Sequence, residues 1–176
     1  MSKEIKAKYP LSMRIYHWLV MLMVATLISV GYYMSGMEVS EEKWQIYYMH
    51  KSFGLLLLLI MLARIYNRWK SSVPKLPKSI SIFDAKISSI VHYLLYIMLV
   101  IIPISGILMS VFGGRGLPFF FTTFFKDITR QENISGAFWI VHTKLPMILM
   151  ILVGLHVLGS FKHLIVDKVN IFKRII

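Results

Sequence analysis

Four long apolar stretches restrict the folds that this 176-residue chain can adopt. They cover residues 15–34, 44–66, 90–112 and 137–161, and each is close to the ~20 residues that a helix needs to cross a bilayer. Composition agrees with this interpretation. With 57% hydrophobic and only 16% charged residues, the chain has more apolar surface than a soluble domain of this length can bury. We therefore predict an all-α integral membrane protein, with a four-helix transmembrane bundle as a single domain over residues 1–176.

The distribution of lysine and arginine predicts the orientation of this bundle. Fourteen of the 20 cationic residues, among them Lys3, Lys6 and Lys78, fall in the N-terminal segment, the connection 64–86 and the tail after the fourth stretch. The positive-inside rule places that side in the cytoplasm, so we expect both termini there, in a multi-pass protein of a bacterial inner membrane. Anionic lipid and this rule account for the net charge of +12, so the basic composition does not indicate nucleic acid.

The chain has no cysteine, which restricts the cofactors that it can hold. Disulfides, iron–sulfur clusters, C-x-x-C zinc sites and covalently attached c-type haem are all excluded. Histidine is the commonest metal ligand in proteins, so any metal is expected on imidazoles.

Four histidines fall at depths that pair across the predicted bundle. His142 and His156 lie fourteen residues apart, which returns to nearly the same helix face about 21 Å lower. Because successive stretches alternate in direction, depth pairs His50 with His142 on the outer side and His17 with His156 on the inner side. Two bis-histidine sites in one bundle are the arrangement expected of an electron carrier with two b-type haems.

Several alternatives remain open for these histidines. Zinc is the competing metal, although it prefers four ligands in one tetrahedral site rather than two distant pairs. A membrane histidine can also satisfy a hydrogen bond between helices without binding metal. His92 lies at the inner depth and could replace His17, but we favour His17 and expect His92 to pack or to form a hydrogen bond.

Three glycines are candidates for close approach to a porphyrin. Gly31 lies fourteen residues after His17, and Gly106 lies fourteen residues after His92, so both share those faces at the outer depth. Gly54 lies one helical turn after His50, the outer histidine of the second stretch. Glycine lets a flat ring approach the backbone, but small residues in membrane helices also pack helix against helix.

The outer loop after the third stretch contains an unusual run of glycine and phenylalanine. Gly113, Gly114 and Gly116 permit tight turns, and five phenylalanines follow within residues 119–125. We predict a short helix or a lid that lies in the membrane interface. An aromatic anchor at headgroup level and a substrate gate both remain open.

Sequence motifs in all four stretches resemble a known family. They are His17-Trp18-Leu19, His50-x3-Gly54-x9-Arg64-x3-Arg68, Pro103-x-Ser105-Gly106, Trp139-x2-His142, Leu155-His156 and His163. Nearly the whole chain is similar to the bacterial cytochrome b561 family. The resemblance implies two non-covalent b haems, with His17, His50, His142 and His156 as their axial ligands.

The same resemblance implies a function. One type in the family is a superoxide oxidase, which moves electrons from periplasmic superoxide to ubiquinone. Related cytochromes instead serve as quinone-reducing membrane subunits of hydrogenases and other dehydrogenases, so a periplasmic redox partner stays open. A third hypothesis is a haem-free transporter or scaffold whose histidines relay protons or pack helices.

Cations near the predicted outer pair suit an anionic substrate such as superoxide. Lys51 adjoins His50, Lys144 lies two residues from His142, and Arg115 lies in the outer loop. A cationic entrance raises the local concentration of an anion and its encounter rate. The alternative is that these residues neutralise haem propionates or extend to the membrane surface.

Several residues near the predicted inner pair suit a quinone. Arg64, His163, Arg14 and Lys162 lie at the inner depth and could hydrogen-bond a quinone carbonyl or supply a proton. Extension of these side chains to the lipid surface is the alternative, which we favour for Lys162 and Arg68.

Overall fold

The computed structural model describes residues 8–77 and 79–176 and contains four long helices. Their bounds are Leu11–Gly36 for α1, Glu41–Lys70 for α2, Ile82–Phe112 for α3 and Glu132–Ile165 for α4. All four are long and apolar enough to cross a membrane, so the predicted all-α four-helix membrane fold is confirmed. The cationic residues Lys3, Lys6 and Lys78 lie outside the described residues.

Each helix extends beyond its predicted apolar stretch. The largest extension is at the start of α3, which begins at Ile82 rather than at residue 90. There the hydroxyl of Ser81 accepts a hydrogen bond from the backbone N–H of Asp84 at 3.0 Å. Ser40 caps α2 in the same way. Apolar residues mark only the part of a helix that lies in hydrocarbon, whereas these polar caps extend the helix into the headgroup region.

Consecutive helices pack against each other, α1 on α2, α2 on α3 and α3 on α4. A small buried core forms around Val20, Leu57 and Met61, with partly buried residues of α3 such as Tyr96 packed against it. Many other large apolar side chains point outwards and remain exposed. This is the surface expected of helices that face lipid.

The outer loop forms a β-hairpin, so the predicted short helix is wrong. Strand β1, Leu117–Phe119, pairs antiparallel with strand β2, Thr122–Phe124. Gly114 and Gly116 have φ angles of +70° and +62°, a left-handed conformation that ends helical geometry after α3. Phenylalanine and threonine, which favour strands, then fill the hairpin.

A buried serine fastens this hairpin to α2. Ser52 is fully buried, and its hydroxyl accepts a hydrogen bond from the backbone N–H of Phe120 at 3.0 Å. The hydroxyl of Tyr48, one turn earlier, donates to the carbonyl of Phe120 at 2.8 Å. The tip of the hairpin is therefore held against the outer part of α2.

Replacing Ser52 with Ala should destabilise the protein by about 1–3 kcal/mol, because the partly buried N–H of Phe120 would lose its acceptor. Thermal unfolding in detergent measures the effect. Ser29→Ala, at an exposed position of α1, is the matched control and should leave the unfolding temperature unchanged. Equal unfolding temperatures for both variants would show that Ser52 does not hold the hairpin.

The two ends of the described chain meet at the inner end of the bundle. A short 3-10 helix, Ile171–Arg174, follows α4. The carbonyl of Arg174 accepts a hydrogen bond from the backbone N–H of Tyr9 at 2.9 Å. Its buried guanidinium donates to the carbonyl of Pro74 at 2.6 Å, and it lies over the ring of Tyr9. This segment therefore joins the N-terminal segment to the connection between α2 and α3.

Candidate functional site

The four predicted histidines lie in two pairs. The ring centres of His50 and His142 are 6.1 Å apart, and those of His17 and His156 are 6.2 Å apart. An imidazole nitrogen binds a transition metal at about 2 Å, and its ring centre lies about 1 Å farther, so imidazoles on opposite sides of one ion have centres about 6 Å apart. Both pairs have a separation that suits one shared metal ion.

His92 also lies beside the inner pair, but its geometry differs. Its ring centre is 5.0 Å from that of His156, closer than two ligands on opposite sides of one ion would be. Its Nδ1 is 2.6 Å from the carbonyl oxygen of Ser88, one turn earlier on α3. These are the contacts of a packing and hydrogen-bonding residue, the role expected for His92.

The ring of His142 is oriented by the backbone of α3. Its Nδ1 lies 2.8 Å from the carbonyl oxygen of Ile102 and 3.3 Å from the hydroxyl of Ser105. A carbonyl oxygen only accepts, so Nδ1 donates and the neutral ring keeps its lone pair on Nε2. A ligand histidine in proteins is commonly held in this way. The contact with Ile102 was not predicted from the sequence.

The three candidate glycines have different surroundings. A Cβ atom at Gly106 would lie 2.6 Å from Cε1 of His142, so this glycine makes room for an imidazole, a neighbour that we did not predict. At Gly31 a Cβ atom would lie 3.4 Å from Cε1 of His50. A Cβ atom at Gly54 would meet nothing within 4 Å. Gly31 and Gly106 therefore border the outer pair from α1 and α3.

The outer pair also has space beside it. A cavity of about 990 Å³ lies between α1 and α2, extends to His50 and has mostly apolar walls. This volume is at the upper end of the range for cofactor sites, roughly 300–1,000 Å³. Nδ1 of His50 is buried and has no hydrogen-bond partner among the described residues. His50, which lines this apolar space, and His142, which faces His50, are residues that could hold a planar, metal-bearing group such as haem.

An arginine and a tryptophan surround the inner pair. The Nη2 atom of Arg64 lies 3.1 Å from Nδ1 of His17, and the guanidinium also lies over the ring of Tyr96. Because a guanidinium only donates, Nδ1 of His17 accepts here. Trp18 packs edge-on against His17, and its indole N–H donates to the carbonyl of Ile175 at 3.0 Å. Sequence reasoning missed the contacts of Arg64 and of the Trp18 indole N–H, which join residues distant in the chain.

The three outer cations are placed differently. Lys51 is half-buried next to His50, and Arg115 lies with its guanidinium 5.5 Å from the ring centre of Trp44, which lines the cavity. Lys144 is exposed on α4. Within residues 8–77 and 79–176, none of these three forms an ion pair with a carboxylate. Their charges are therefore available to an anion.

At the inner end of α4, His163 and Lys162 belong to one polar cluster. Nδ1 of His163, which is 8% exposed, lies 2.6 Å from Oδ2 of Asp167. Lys162 contacts Asp84 of α3 at 2.6 Å and Asp167 at 3.2 Å, two ion pairs that were not predicted from the sequence. The hydrogen bond from His163 holds the pKa of Asp167 below its ordinary value. Neither acid was singled out from the sequence.

Arg14 is half-buried near the start of α1. Its Nε atom is buried and has no hydrogen-bond partner among the described residues. The structure gives no contact between Arg14 and His163, so these two predicted quinone residues are not brought together.

Comparisons with known proteins agree over nearly the whole chain. The sequence profile described as prokaryotic cytochrome b561 matches residues 8–176. Cytochrome b561 homolog 2 of Escherichia coli is 26% identical over 92% of this chain and 87% of its own length. Cytochrome b561 homolog 1 of the same organism is 22% identical over 90% of each chain. The probable superoxide oxidase CybB of Yersinia pestis is 24% identical over 90% of this chain and 89% of its own length.

Proposed function

Because the chain belongs to the prokaryotic cytochrome b561 family, whose members bind b-type haem, we propose that it is a dihaem superoxide:ubiquinone oxidoreductase. The observation that carries this proposal is the presence of two imidazole pairs, with ring centres 6.1 Å and 6.2 Å apart, in one membrane bundle. A relative that is named a probable superoxide oxidase supports the choice of substrate.

His50 and His142 would hold the outer haem, and His17 and His156 the inner one, within a single domain. Bound haem supplies reversible one-electron transfer. Ile102 fixes the His142 ring so that Nε2 is free to bind metal. At the inner pair, His17 would hold haem through Nε2 only with a proton on Nδ1, and Arg64, which donates to Nδ1 here, would then be available to an anionic or carbonyl group.

The outer face supplies positive charge to an anionic substrate. Two superoxide ions each lose one electron and leave as O2, while one quinone gains two electrons and two protons. Lys51 and Arg115, which have no carboxylate partner among the described residues, attract superoxide to the outer end of the bundle.

The inner face supplies the protons that quinone reduction requires. His163 has ring nitrogens that can donate or accept a proton on this side. The guanidinium groups of Arg64 and Arg14 are further hydrogen-bond donors on the same side. The two ends of the described chain lie on this side, and the excess of lysine and arginine there predicts that it faces the cytoplasm.

Stopped-flow mixing of superoxide with the purified haem-loaded protein tests this function. With ubiquinone present and no other enzyme, we expect haem reduction followed by formation of one quinol for every two superoxide ions. Superoxide dismutase added beforehand should abolish both signals. Haem reduction that appears only after a dehydrogenase is added would overturn the superoxide assignment.

The second candidate is a membrane subunit fed by a periplasmic dehydrogenase. It is favoured by the outer hairpin, where Phe121 is fully exposed and Phe125 is also exposed. Exposed apolar side chains of this kind are typical of a surface that binds another protein. A haem-free transporter or scaffold does not agree with membership of a haem-binding family.

Replacing both Lys51 and Arg115 with Gln should lower the second-order rate of haem reduction by superoxide about tenfold and weaken its dependence on salt. The reason is the loss of two charges that attract the anion. Lys144 is exposed on α4, so Lys144→Gln should lower this rate less than the double replacement does. A double variant that reacts at the wild-type rate, or that instead loses haem, would argue against superoxide attraction by these residues.

A further inference from the structure

We propose that Asp167 is a positioning residue that prepares His163 to donate a proton to quinone at the inner face. This inference rests on the proposed quinone reduction, since that reaction consumes two protons. It adds a residue that lies beyond the fourth helix and touches His163 rather than the quinone.

The contact between the two side chains determines which ring nitrogen can exchange a proton. Oδ2 of Asp167 lies 2.6 Å from Nδ1 of His163, and both side chains are largely shielded from solvent, with exposed fractions of 17% and 10%. An ionised carboxylate only accepts hydrogen bonds, so Nδ1 of His163 must donate. Nε2 is then the ring nitrogen that remains for proton exchange.

The end of α4 places Asp167 in this position. The helix ends at Ile165, and Lys168 has a φ angle of +57°, which reverses the chain direction. The backbone N–H of Val169 then bonds the carbonyl of His163 at 2.8 Å. The turn holds the carboxylate of Asp167 one helical turn beyond His163, against the same side of the helix.

Charged groups from two other positions complete the cluster. Lys162 of α4 contacts both Asp167, at 3.2 Å, and Asp84 of α3, at 2.6 Å. These are the charged side chains that face His163 and Asp167 in the described residues. The pKa of Asp167 is lowered by its hydrogen bond with His163 and by Lys162, so the carboxylate stays ionised near neutral pH. The side chain of Lys162 is 40% exposed, which shows that the cluster reaches the inner surface.

The proposed step moves one proton. A protonated His163 gives its Nε2 proton to a quinone oxygen, so that an N–H bond breaks and an O–H bond forms. Water at the inner surface then protonates Nε2 again. Throughout this cycle Asp167 accepts from Nδ1, stabilises the positive charge on the ring and prevents the ring from turning.

Asp167→Asn provides the test, with the haem-loaded protein, superoxide and ubiquinone. We expect kcat for quinol formation to fall about 10- to 100-fold with little change in KM for quinone, since Nε2 can still contact the quinone. The rate of haem reduction by superoxide without quinone should stay at the wild-type value, because it takes place at the outer face. Asp167→Glu, which keeps the carboxylate, should recover part of kcat.

Asp84→Asn is the matched control, because it removes the other carboxylate partner of Lys162 and leaves the contact between His163 and Asp167 intact. We expect kcat close to wild type for this variant. If kcat falls equally in Asp84→Asn and Asp167→Asn, or if either variant loses haem, the cluster has only a structural role and the inference is overturned. Normal kcat in Asp167→Asn would overturn it while the proposed function stands. A wild-type protein that does not reduce quinone would overturn both.

Discussion

Replacing His156 with Ala should lower the haem content of the purified protein from two per chain to one. His156 is the imidazole of α4 that faces His17, and the two ring centres are 6.2 Å apart. Without it the inner site would keep only one of the two imidazoles that would hold its haem, while the outer pair of His50 and His142 would remain. A pyridine haemochrome assay against protein concentration measures the change, and electron transfer from superoxide to quinone should cease.

His92→Ala is the matched control for this prediction. His92 lies 5.0 Å from His156 and bonds the backbone of its own helix, so its removal should leave both haems in place. Loss of one haem from the His92 variant with retention of both in a His17→Ala variant would show that the inner ligands are paired differently.

Replacing Gly106 with Ala should remove most of the outer haem and leave the inner one. The new Cβ atom would lie 2.6 Å from Cε1 and 2.9 Å from Nδ1 of His142. The ring would have to move away from the carbonyl of Ile102, which orients it. The haem-to-protein ratio should fall to about half of the wild-type value, because one of two bis-histidine sites is lost.

Gly136→Ala tests whether any added methyl group in these helices has the same effect. A Cβ atom at Gly136, near the start of α4, would meet nothing within 4 Å. This variant should keep the wild-type haem content. If Gly106→Ala also keeps it, the close contact with His142 does not control the outer site.

Much of this architecture could be predicted from the sequence, because a bilayer fixes the length of each apolar stretch and the helical repeat fixes the depth of each side chain. These two constraints predicted four helices, and they led to the pairs that the structure brings together, His50 with His142 and His17 with His156. The role of these pairs as haem ligands stays a prediction.

Depth and face do not reveal which neighbouring helix a residue touches. Gly106 was assigned to a porphyrin because it shares a face with His92, yet it lies against His142 of α4. Arg64 is predicted near quinone because it shares the face of His50 at the inner depth, yet it contacts His17. Such contacts depend on how the helices rotate and pack, and the repeat of a single helix does not contain that information.

The polar cluster at the inner end was predictable only in part. The pair His163 and Asp167 has i,i+4 spacing, so the sequence carried a signal for it that we did not use. The contact between Lys162 and Asp84 joins residues that are 78 positions apart, and no local pattern indicates it. The outer hairpin was missed because glycine and phenylalanine do not distinguish a strand pair from a short helix in an interface.

The number of haems bound by the wild-type chain tests the central claim most directly. Protein expressed with ample haem supply should carry two b haems per polypeptide by pyridine haemochrome assay, and a redox titration should resolve two one-electron steps. A chain that binds one haem or none would contradict the account, since one of the two imidazole pairs would then have no iron to hold.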